Sequence, residues 1–403
     1  MRSVAEHLAA CLDIAQAAAP LDVVLLDAVG CVLAEDVVAQ LDLPAVDMAG
    51  LDGYAVAVDD LAGVFPGRPV RLDVVDDVRA GDVRPIHLVR GSAVIIDSGA
   101  PMPQGADAVV PWTATDRGTS RVEVRARVES GANVRRRGED VTAGTTVLPK
   151  GSRISARQIA LLAGLGRHRV NVHPAPRVVI ISIGNELVEP GRPRETGQVF
   201  DANGHALACA VTDAGGRAFR VAAVPDELGA LRETIEDQLV RADVLITTGG
   251  LSVGQGDTVK DVLAPLGSVR FDAVAMSPGR QLGVGTVEGT PIFCLPGDPV
   301  SAQIAFETFV RPVLRQIAGR TSLHRSSLAA TISEGWHSPS GKREFVPVHV
   351  SGSPSRGYRA EPTAPPGTVR LHGLSEANAI AVVPEDTSTV VAGDTLHCLL
   401  LDA

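Results

Sequence analysis

The sequence is poor in aromatic residues, in basic charge and in long apolar runs. Phe, Tyr and Trp together make up 3% of the 403 residues, so we expect an aliphatic core and no base stacking on exposed rings. No apolar stretch approaches the roughly 20 residues that cross a bilayer, which argues against a membrane protein. Acidic residues outnumber basic ones by 47 to 37, which argues against a general nucleic-acid-binding surface.

Cysteine is scarce as well, and its pattern does not predict a disulfide framework. The cysteines are odd in number and form no CxxC pair, which is typical of a reducing compartment. We therefore expect a cytoplasmic protein. The five positions are Cys11, Cys31, Cys209, Cys294 and Cys398.

Glycine and proline are abundant, at 41 and 27 residues, and they divide the chain into segments of different character. Apolar spacing predicts an amphipathic helix within residues 3–19 and a second helix over 155–164. Alternating apolar residues predict a β-rich segment over about 31–140. Between about 172 and 320, strands alternate with helices, which predicts a parallel sheet, and the last 80 or so residues form a small β domain. In the alternating region the predicted strands include 178–183 and 244–247, and the predicted helices cover about 203–214, 226–241 and 299–317.

The turns that follow the strands of the predicted parallel sheet are the expected ligand site, because helix N-termini and loop N–H groups converge there. The first is Gly184–Leu187. The second, Thr248–Asp257, carries four glycines, so its backbone can approach a phosphate closely. Glu186 and Asp257 could share a Mg²⁺ ion, since hard cations select carboxylate oxygens. Each could instead be a hydrogen-bonded loop carboxylate.

Lys260 and two later turns are further candidates. Lys260 is one of only three lysines, and it is either a phosphate ligand or a solvated helix residue. The later turns are Ser277–Arg280 and Leu295–Ser301. In the second of them, Asp298 precedes a proline and is expected to be the N-cap of the next helix.

Two polar segments in the β-rich region leave two interpretations open. The run Arg135–Arg137 is either a solvated face or a group that binds an oxyanion. Asp52 either caps a turn or belongs to a site. The sequence contains no HExxH motif, no Cys/His cluster, no GxSxG elbow and no complete Walker loop, so metalloprotease, zinc and P-loop functions are not indicated.

Together these motifs resemble one family along essentially the whole chain, the molybdopterin molybdenumtransferases of the MoeA and gephyrin E-domain type. The resemblance is specific because it rests on many segments of the chain and does not depend on any single loop. The matching segments are Pro44, Asp52-Gly53-Tyr54-Ala55, Ser98-Gly99-Ala100-Pro101, Gly105-Ala106-Asp107-Ala108-Val109, Asn133, Arg135–Asp140, Gly184-Asn185-Glu186-Leu187, Gly249–Asp257, Lys260, Pro278-Gly279 and Leu295-Pro296-Gly297.

The resemblance implies insertion of molybdate into adenylated molybdopterin, with Mg²⁺ and with release of AMP. The implied catalytic residues are Asp52, Asp140, Glu186 and Asp257, of which Glu186 and Asp257 would also hold the metal. The implied substrate-binding residues are Ser98, Arg137, Gly249, Gly250, Ser252, Gly254, Lys260, Pro296 and Gly297.

The resemblance also implies an elongated homodimer with a multidomain α/β plus β fold. Its four expected parts are a central α/β domain with a mostly parallel sheet (1–20 and 172–320), a β-rich inserted domain (43–138), a small linking domain (21–42 and 139–171) and a C-terminal β-barrel-like domain (321–403).

The chain departs from the family pattern at the place implied for molybdate. Where the family has Lys-Pro-Gly-Lys-Pro, this chain has Ser277-Pro278-Gly279-Arg280-Gln281, which removes a cation. Asn185 and Asp298 also replace the family's Asp and Asn. The implied molybdate residues are Ser277, Arg280, Lys342, Arg343 and Ser375, and Lys342 or Arg343 could replace part of the lost charge.

Two other functions remain open. The chain could be a catalytically weak paralogue that binds a pterin or nucleotide or acts as a scaffold, which the altered turn at Ser277 favours. It could also be a molybdopterin adenylyltransferase or a nucleotide pyrophosphatase, which the additional β-rich segments argue against. The expected partners are adenylated molybdopterin, molybdate, a second copy of the chain and other proteins of molybdenum cofactor synthesis, with no nucleic acid and no membrane.

Overall fold

The computed structural model describes residues 1–251 and 257–401, and the chain divides into two compact units. We call Met1–Ala34 with Val170–Ala403 the outer unit and Glu35–Arg169 the inserted unit. Within the described ranges, no helix is both long enough and apolar enough to cross a membrane.

The α-helices of the described residues are short, as the high content of glycine and proline predicts. They are α1 Val4–Asp13, α2 Ala156–Gly164, α3 Asn203–Ala214, α4 Leu228–Leu239, α5 Thr258–Leu266, α6 Pro299–Ala305, α7 Arg311–Ile317 and α8 Leu371–Glu376. A π-helical turn, Phe306–Val310, joins α6 to α7, and 3₁₀ turns lie at Val58–Leu61 and Trp112–Ala114.

The strands of the described residues are also short. In chain order they are β1 Leu21–Val24, β2 Val32–Leu33, β3 Val37–Val38, β4 Met48–Ala49, β5 Gly53–Val56, β6 Val70–Val78, β7 Ser92–Ile96, β8 Ala108–Pro111, β9 Arg121–Val124, β10 Val134–Arg135, β11 Thr146–Leu148, β12 Arg169–His173, β13 Arg177–Ser182, β14 Leu187–Val188, β15 Val199–Phe200, β16 Arg217–Arg220, β17 Val244–Thr248, β18 Arg270–Ala273, β19 Met276–Ser277, β20 Gln281–Val287, β21 Thr290–Leu295, β22 Ser327–Ile332, β23 Trp336–His337, β24 Arg343–Ser353, β25 Gly357–Pro362, β26 Ala379–Val383, β27 Thr389–Val390 and β28 Thr395–Leu400.

A mostly parallel sheet forms the centre of the outer unit, as predicted. Its strand order is β16-β13-β17-β21-β20-β18. The first three of these pairings are parallel, whereas β20 and β18 run antiparallel at one edge. Successive residues of β13 enter two different cores, with Val178 and Ile180 on one face and Val179 and Ile181 on the other. Burial on both faces explains why this strand is a continuous apolar run in the sequence.

The end of the outer unit is a closed barrel, which confirms the predicted barrel-like domain. Five strands close a ring in the order β24-β25-β22-β28-β26, because β26 pairs back with β24. Apolar side chains fill its interior, among them Val346, Val348 and Ala381. Strand β19 extends one side of the ring by pairing with β24, which sets Ser277 beside Glu344.

The remaining sheets match the prediction of a β-rich inserted region and a small linking region. A five-stranded sheet of order β8-β5-β7-β6-β9 lies in the inserted unit. The linking strands β1, β12 and β2 form a separate small sheet. The multidomain α/β plus β class is therefore confirmed, whereas the four sets of domain boundaries stay a prediction.

The first predicted helix is shorter than expected. It begins with a capping box between Ser3 and Glu6 and ends at Asp13 rather than reaching residue 19. The backbone beyond it bonds to α7 instead, since Gln316 Nε2 donates to Ala15 O at 2.6 Å and the Ala18 N–H donates to Ile317 O at 2.8 Å. Tertiary hydrogen bonds thus replace the helical ones in an alanine-rich segment that could have continued the helix.

Candidate functional site

Three glycine-containing turns meet at the carboxyl end of the parallel sheet. They follow β13, β17 and β21, as the strand pattern predicted. Gly249 has a φ of +87°, and a Cβ added there would lie within 3.0 Å of the Ile183 carbonyl oxygen. A Cβ on Gly297 would lie 3.4 Å from Gly249 Cα. The turns therefore pack backbone against backbone, which leaves their peptide groups near the surface for a ligand.

A small hydrogen-bond network joins these turns beneath the surface. Asn203, the first residue of α3, donates from Nδ2 to Thr248 Oγ1 and to Gly297 O, both at 2.8 Å. Thr248 Oγ1 donates to Pro296 O at 2.7 Å. The sequence motifs did not identify Asn203, because the pairing is visible only once the strands are assembled.

Asp257, expected to be catalytic, is buried at the start of α5. Its side chain is 7% exposed and forms an ion pair with the Lys260 ammonium group. Asp257 is also the N-cap of α5, and its Oδ1 accepts from the Lys260 N–H at 3.4 Å. Lys260 Nζ lies 5.7 Å above the Phe271 ring. The two candidates Asp257 and Lys260 therefore form an ion pair, in which the ammonium group of Lys260 contacts the carboxylate of Asp257.

Asp226 also lies at this sheet edge, and the sequence analysis did not single it out. Its Oδ1 is buried and makes no hydrogen bond within the described residues, and it lies 3.7 Å from the position of a Cβ on Gly250. Its N–H donates to Asn185 Oδ1 at 3.0 Å. The sequence could have indicated Asp226, because this residue follows strand β16 at the same edge of the sheet.

Glu186, the other expected metal ligand, is exposed in the turn after β13. Its carboxylate folds back over Gly184. The described ranges hold no cluster of three His, Cys, Asp or Glu side chains arranged for a metal. Mg²⁺ commonly uses one or two carboxylates and completes its shell with water and substrate phosphates. The Asp226 oxygen, which has no hydrogen-bond partner among the described residues, and the buried Asp257 carboxylate fit such a shared site, to which the ligand itself must contribute.

A charged network flanks the site on the β14–β15 side. Asp201 is 1% exposed and accepts from Ser182 Oγ at 2.9 Å and from Gly204 N at 2.8 Å. Arg220 bridges Asp201 and Glu189. Hydrogen bonding to Arg220 holds the pKa of Glu189 below its ordinary value. The network fixes the chain that links β13 to α3.

The residues expected to bind molybdate lie at the end of β19 and in the turn after it, at the start of β24 and in α8, and several of them are already paired. Arg343 binds Glu385 at 3.0 Å, and Ser375 Oγ donates to His372 O at 2.6 Å. Arg280 is exposed and Lys342 partly exposed. Ser277 and Pro278 line a small cavity with Glu344, which is 1% exposed and accepts from Trp336 Nε1 at 2.9 Å.

The remaining candidates belong to the inserted unit or to the undescribed loop. In the inserted unit the Ser98 N–H donates to Asp52 Oδ1 at 2.7 Å, which brings these two predicted residues together. Asp140 is exposed and its N–H donates to Leu43 O at 3.0 Å. Ser252 and Gly254 lie outside the described residues, so the structure says nothing of the loop they share.

The arginine run is held by carboxylates of its own unit. The pairs are Arg135–Glu139 at 2.7 Å, Arg136–Asp47 at 2.7 Å and Arg137–Asp42 at 2.5 Å. Hydrogen bonds from the Arg137 N–H and the Arg136 guanidinium lower the pKa of Asp47. An oxyanion at Arg137 would have to compete with Asp42.

Comparison with known proteins covers nearly the whole chain. Three family models match: the MoeA N-terminal region (domain I and II) over residues 2–166, a probable molybdopterin binding domain over 179–316, and the MoeA C-terminal region (domain IV) over 329–401.

Individual relatives agree with these matches. Molybdopterin molybdenumtransferase 2 of Mycobacterium tuberculosis is 40% identical over 98% of this chain and 99% of its own. Molybdopterin molybdenumtransferase of Bacillus subtilis is 32% identical over 94% of this chain and 89% of its own. The solved structure of a molybdopterin biosynthesis MoeA protein from Pyrococcus horikoshii superposes with a TM-score of 0.84 at 29% identity, covering 100% of this chain and 99% of that one.

Proposed function

The chain belongs to the molybdopterin molybdenumtransferase family, and from that premise we propose that it inserts molybdenum, supplied as molybdate, into adenylated molybdopterin with release of AMP. The observation that carries the proposal is the sheet edge where the turns at Gly184, Gly249 and Gly297 meet beside Asp226 and Asp257. Such an edge supplies peptide N–H groups for phosphates and carboxylates for a divalent cation.

The glycine turns, the carboxylates and Lys260 have separate roles in this proposal. The glycine turns bind the phosphates of the adenylate, because their backbones lie open to a ligand. Asp226 and Asp257, with Glu186, would hold Mg²⁺, which supplies Lewis-acid polarisation of a phosphoanhydride. Lys260 would then exchange its ion pair with Asp257 for a phosphate oxygen and offset the negative charge that develops as AMP departs.

Two further parts of the proposal concern the other candidate residues. Asp52, Ser98, Arg137 and Asp140 of the inserted unit are proposed to act on the substrate from a partner chain in a homodimer. Ser277, Arg280, Lys342, Arg343 and Ser375 are proposed to receive molybdate. The proposed division into four domains keeps the residue ranges that the family resemblance implies.

The test is AMP release from adenylated molybdopterin in the presence of Mg²⁺, with and without molybdate, followed by reconstitution of a molybdenum-free apoenzyme with the product. Asp257→Asn keeps the N-cap acceptor but removes the charge, so it should abolish AMP release without unfolding α5. Asp261→Asn changes an exposed carboxylate on the same helix and should release AMP at the wild-type rate. Unchanged release by Asp257→Asn would remove Asp257 from the mechanism.

The altered turn at Ser277 supports a second candidate, a paralogue that binds the substrate but does not turn it over. One of the two cations that the family carries in this turn is absent, and the nearby Arg343 is engaged by Glu385. Tight binding of adenylated molybdopterin without AMP release would favour this paralogue. Adenylation of molybdopterin from ATP would instead favour the third candidate, an adenylyltransferase.

A further inference from the structure

One side chain, Asn203, connects two of the three strand ends that carry the candidate site, those of β17 and β21. Its Nδ2 reaches Thr248 Oγ1 at the end of β17 and Gly297 O in the turn after β21, each at 2.8 Å. Thr248 Oγ1 adds a bond of 2.7 Å to Pro296 O. Together these three hydrogen bonds tie the turn after β17 to the turn after β21.

The network is buried although the turns that it joins are open. Asn203 is 8% exposed and Thr248 is 1% exposed, whereas Gly297 is exposed at the surface. The first turn of α3 is itself fixed to β13, because Asp201 Oδ1 accepts from both Ser182 Oγ and Gly204 N. Asn203 therefore holds the turns after β17 and β21 in a fixed position relative to β13.

We infer that Asn203 is a positioning residue for the transferase reaction, which holds the turn at Gly249 against the turn at Pro296–Gly297 in the arrangement that binds the phosphates of the adenylate. The inference rests on the proposed function. Bound phosphates contact peptide groups of these turns, and a displacement of about 1 Å in a positioning element can cost about 10²-fold in rate. Loss of the amide leaves the Gly297 carbonyl oxygen and the Thr248 hydroxyl oxygen without their donor and frees the turns to move apart.

The test compares Asn203→Ala with a matched control in the barrel. Asn378 also forms two amide hydrogen bonds, accepting from Val350 N at 2.7 Å and donating to Val350 O at 2.9 Å. Asn378→Ala therefore reports what the loss of such a pair does to stability alone. Thr248→Val, which removes Oγ1 and keeps the branched shape, probes the same network at its second member.

Three measurements separate positioning from stability. The affinity for AMP, measured by calorimetry, should fall at least tenfold in Asn203→Ala, and KM for adenylated molybdopterin should rise more than kcat falls. Hydrogen–deuterium exchange should increase in the segments 248–251 and 295–298 in Asn203→Ala. Neither change is expected in Asn378→Ala at a comparable Tm. Thr248→Val should weaken AMP binding less than Asn203→Ala does. The double variant Asn203→Ala/Thr248→Val should bind AMP no more weakly than Asn203→Ala alone.

Unchanged exchange in both segments, or equal losses of AMP affinity in Asn203→Ala and Asn378→Ala, would overturn the inference. The proposed function fails differently, through a wild-type chain that releases no AMP. The exchange experiment needs no ligand, so it judges the role of Asn203 in either case.

Discussion

At the scale of single residues, the candidate site depends on backbone that only glycine can supply. Gly249→Ala would place a Cβ against the Ile183 carbonyl oxygen at a φ of +87°. Gly289→Ala is the matched control, because its φ is +83° and no atom lies within 4 Å of its Cβ position.

We expect the control to cost about 1 kcal/mol of unfolding free energy, from backbone strain alone. Gly249→Ala should cost at least about 2 kcal/mol more, because the added atom also overlaps β13, and AMP affinity should be lost with it. Thermal unfolding and calorimetry of both variants check this. Equal Tm values would show that the turn at residue 249 moves aside freely.

The comparison of sequence and structure is clearest for individual side chains. The placement of Gly249 and Asp257 at the sheet edge could be predicted because both closely follow the recognisable strand β17, and Lys260 lies in the next helix, α5. Asp226 could have been found by the same rule, had the turn after β16 also been considered. Asn203 could not, since its partners Thr248 and Gly297 are distant in the sequence and meet it only through the order of the sheet.

At the scale of elements, apolar periodicity predicted the helices and strands well where local and tertiary interactions agree. Helix α2 lies within the predicted range 155–164 and is capped by Ser155 and Gln158, and α3 covers the predicted range. The segment 299–317 is helical as predicted but contains a π-helical turn at Phe306–Val310. The spacing of apolar residues cannot reveal such a turn, because the turn shifts the buried face of the helix by only one residue.

Helix α1 makes a prediction about pH. His7 is 2% exposed and packs edge-on against the Phe309 ring at a centroid distance of 4.8 Å. Burial, together with the nearby charge of Arg2 and partly opposed by Asp272, lowers the pKa of His7 from 6.5 to about 4. The unfolded chain thus binds the proton more readily than the folded one. The stabilisation is complete above pH 6.5 and is lost as the pH falls towards 4, by at most about 3 kcal/mol.

The variant His7→Phe keeps a ring against Phe309 and removes the titrating group. Its Tm should therefore fall less steeply than that of the wild type between pH 6.5 and pH 4. His349→Gln, a change at an exposed position of β24, should keep the wild-type slope. Calorimetric scans across this range decide the matter, and parallel curves for His7→Phe and wild type would show that another group controls the acid response of α1.

At the scale of the whole molecule, the parallel sheet and a small β domain after it followed from strand spacing, whereas the assembly of the chain with a second copy did not. The resemblance alone implied a homodimer. The structure adds an apolar segment on the outer unit, where Leu21, Val24, Leu26 and Val29 are 52%, 41%, 81% and 55% exposed. We call this segment the 21–29 patch. It includes β1, an edge strand of its small sheet.

The 21–29 patch is a candidate dimer interface, because exposed apolar side chains at the edge of a sheet are features that a partner chain would cover. Leu26→Glu places a charge in the most exposed part of the patch and should convert a dimer to a monomer in light scattering coupled to size exclusion. Val240→Glu is the control, since Val240 is 89% exposed but lies at the end of α4, and this variant should remain dimeric. If catalysis needs the partner's inserted unit, Leu26→Glu should lose AMP release while its Tm stays close to that of Val240→Glu. A monomeric wild type, or a dimeric Leu26→Glu, would assign the patch another role and return the proposed catalytic residues of the inserted unit to the same chain.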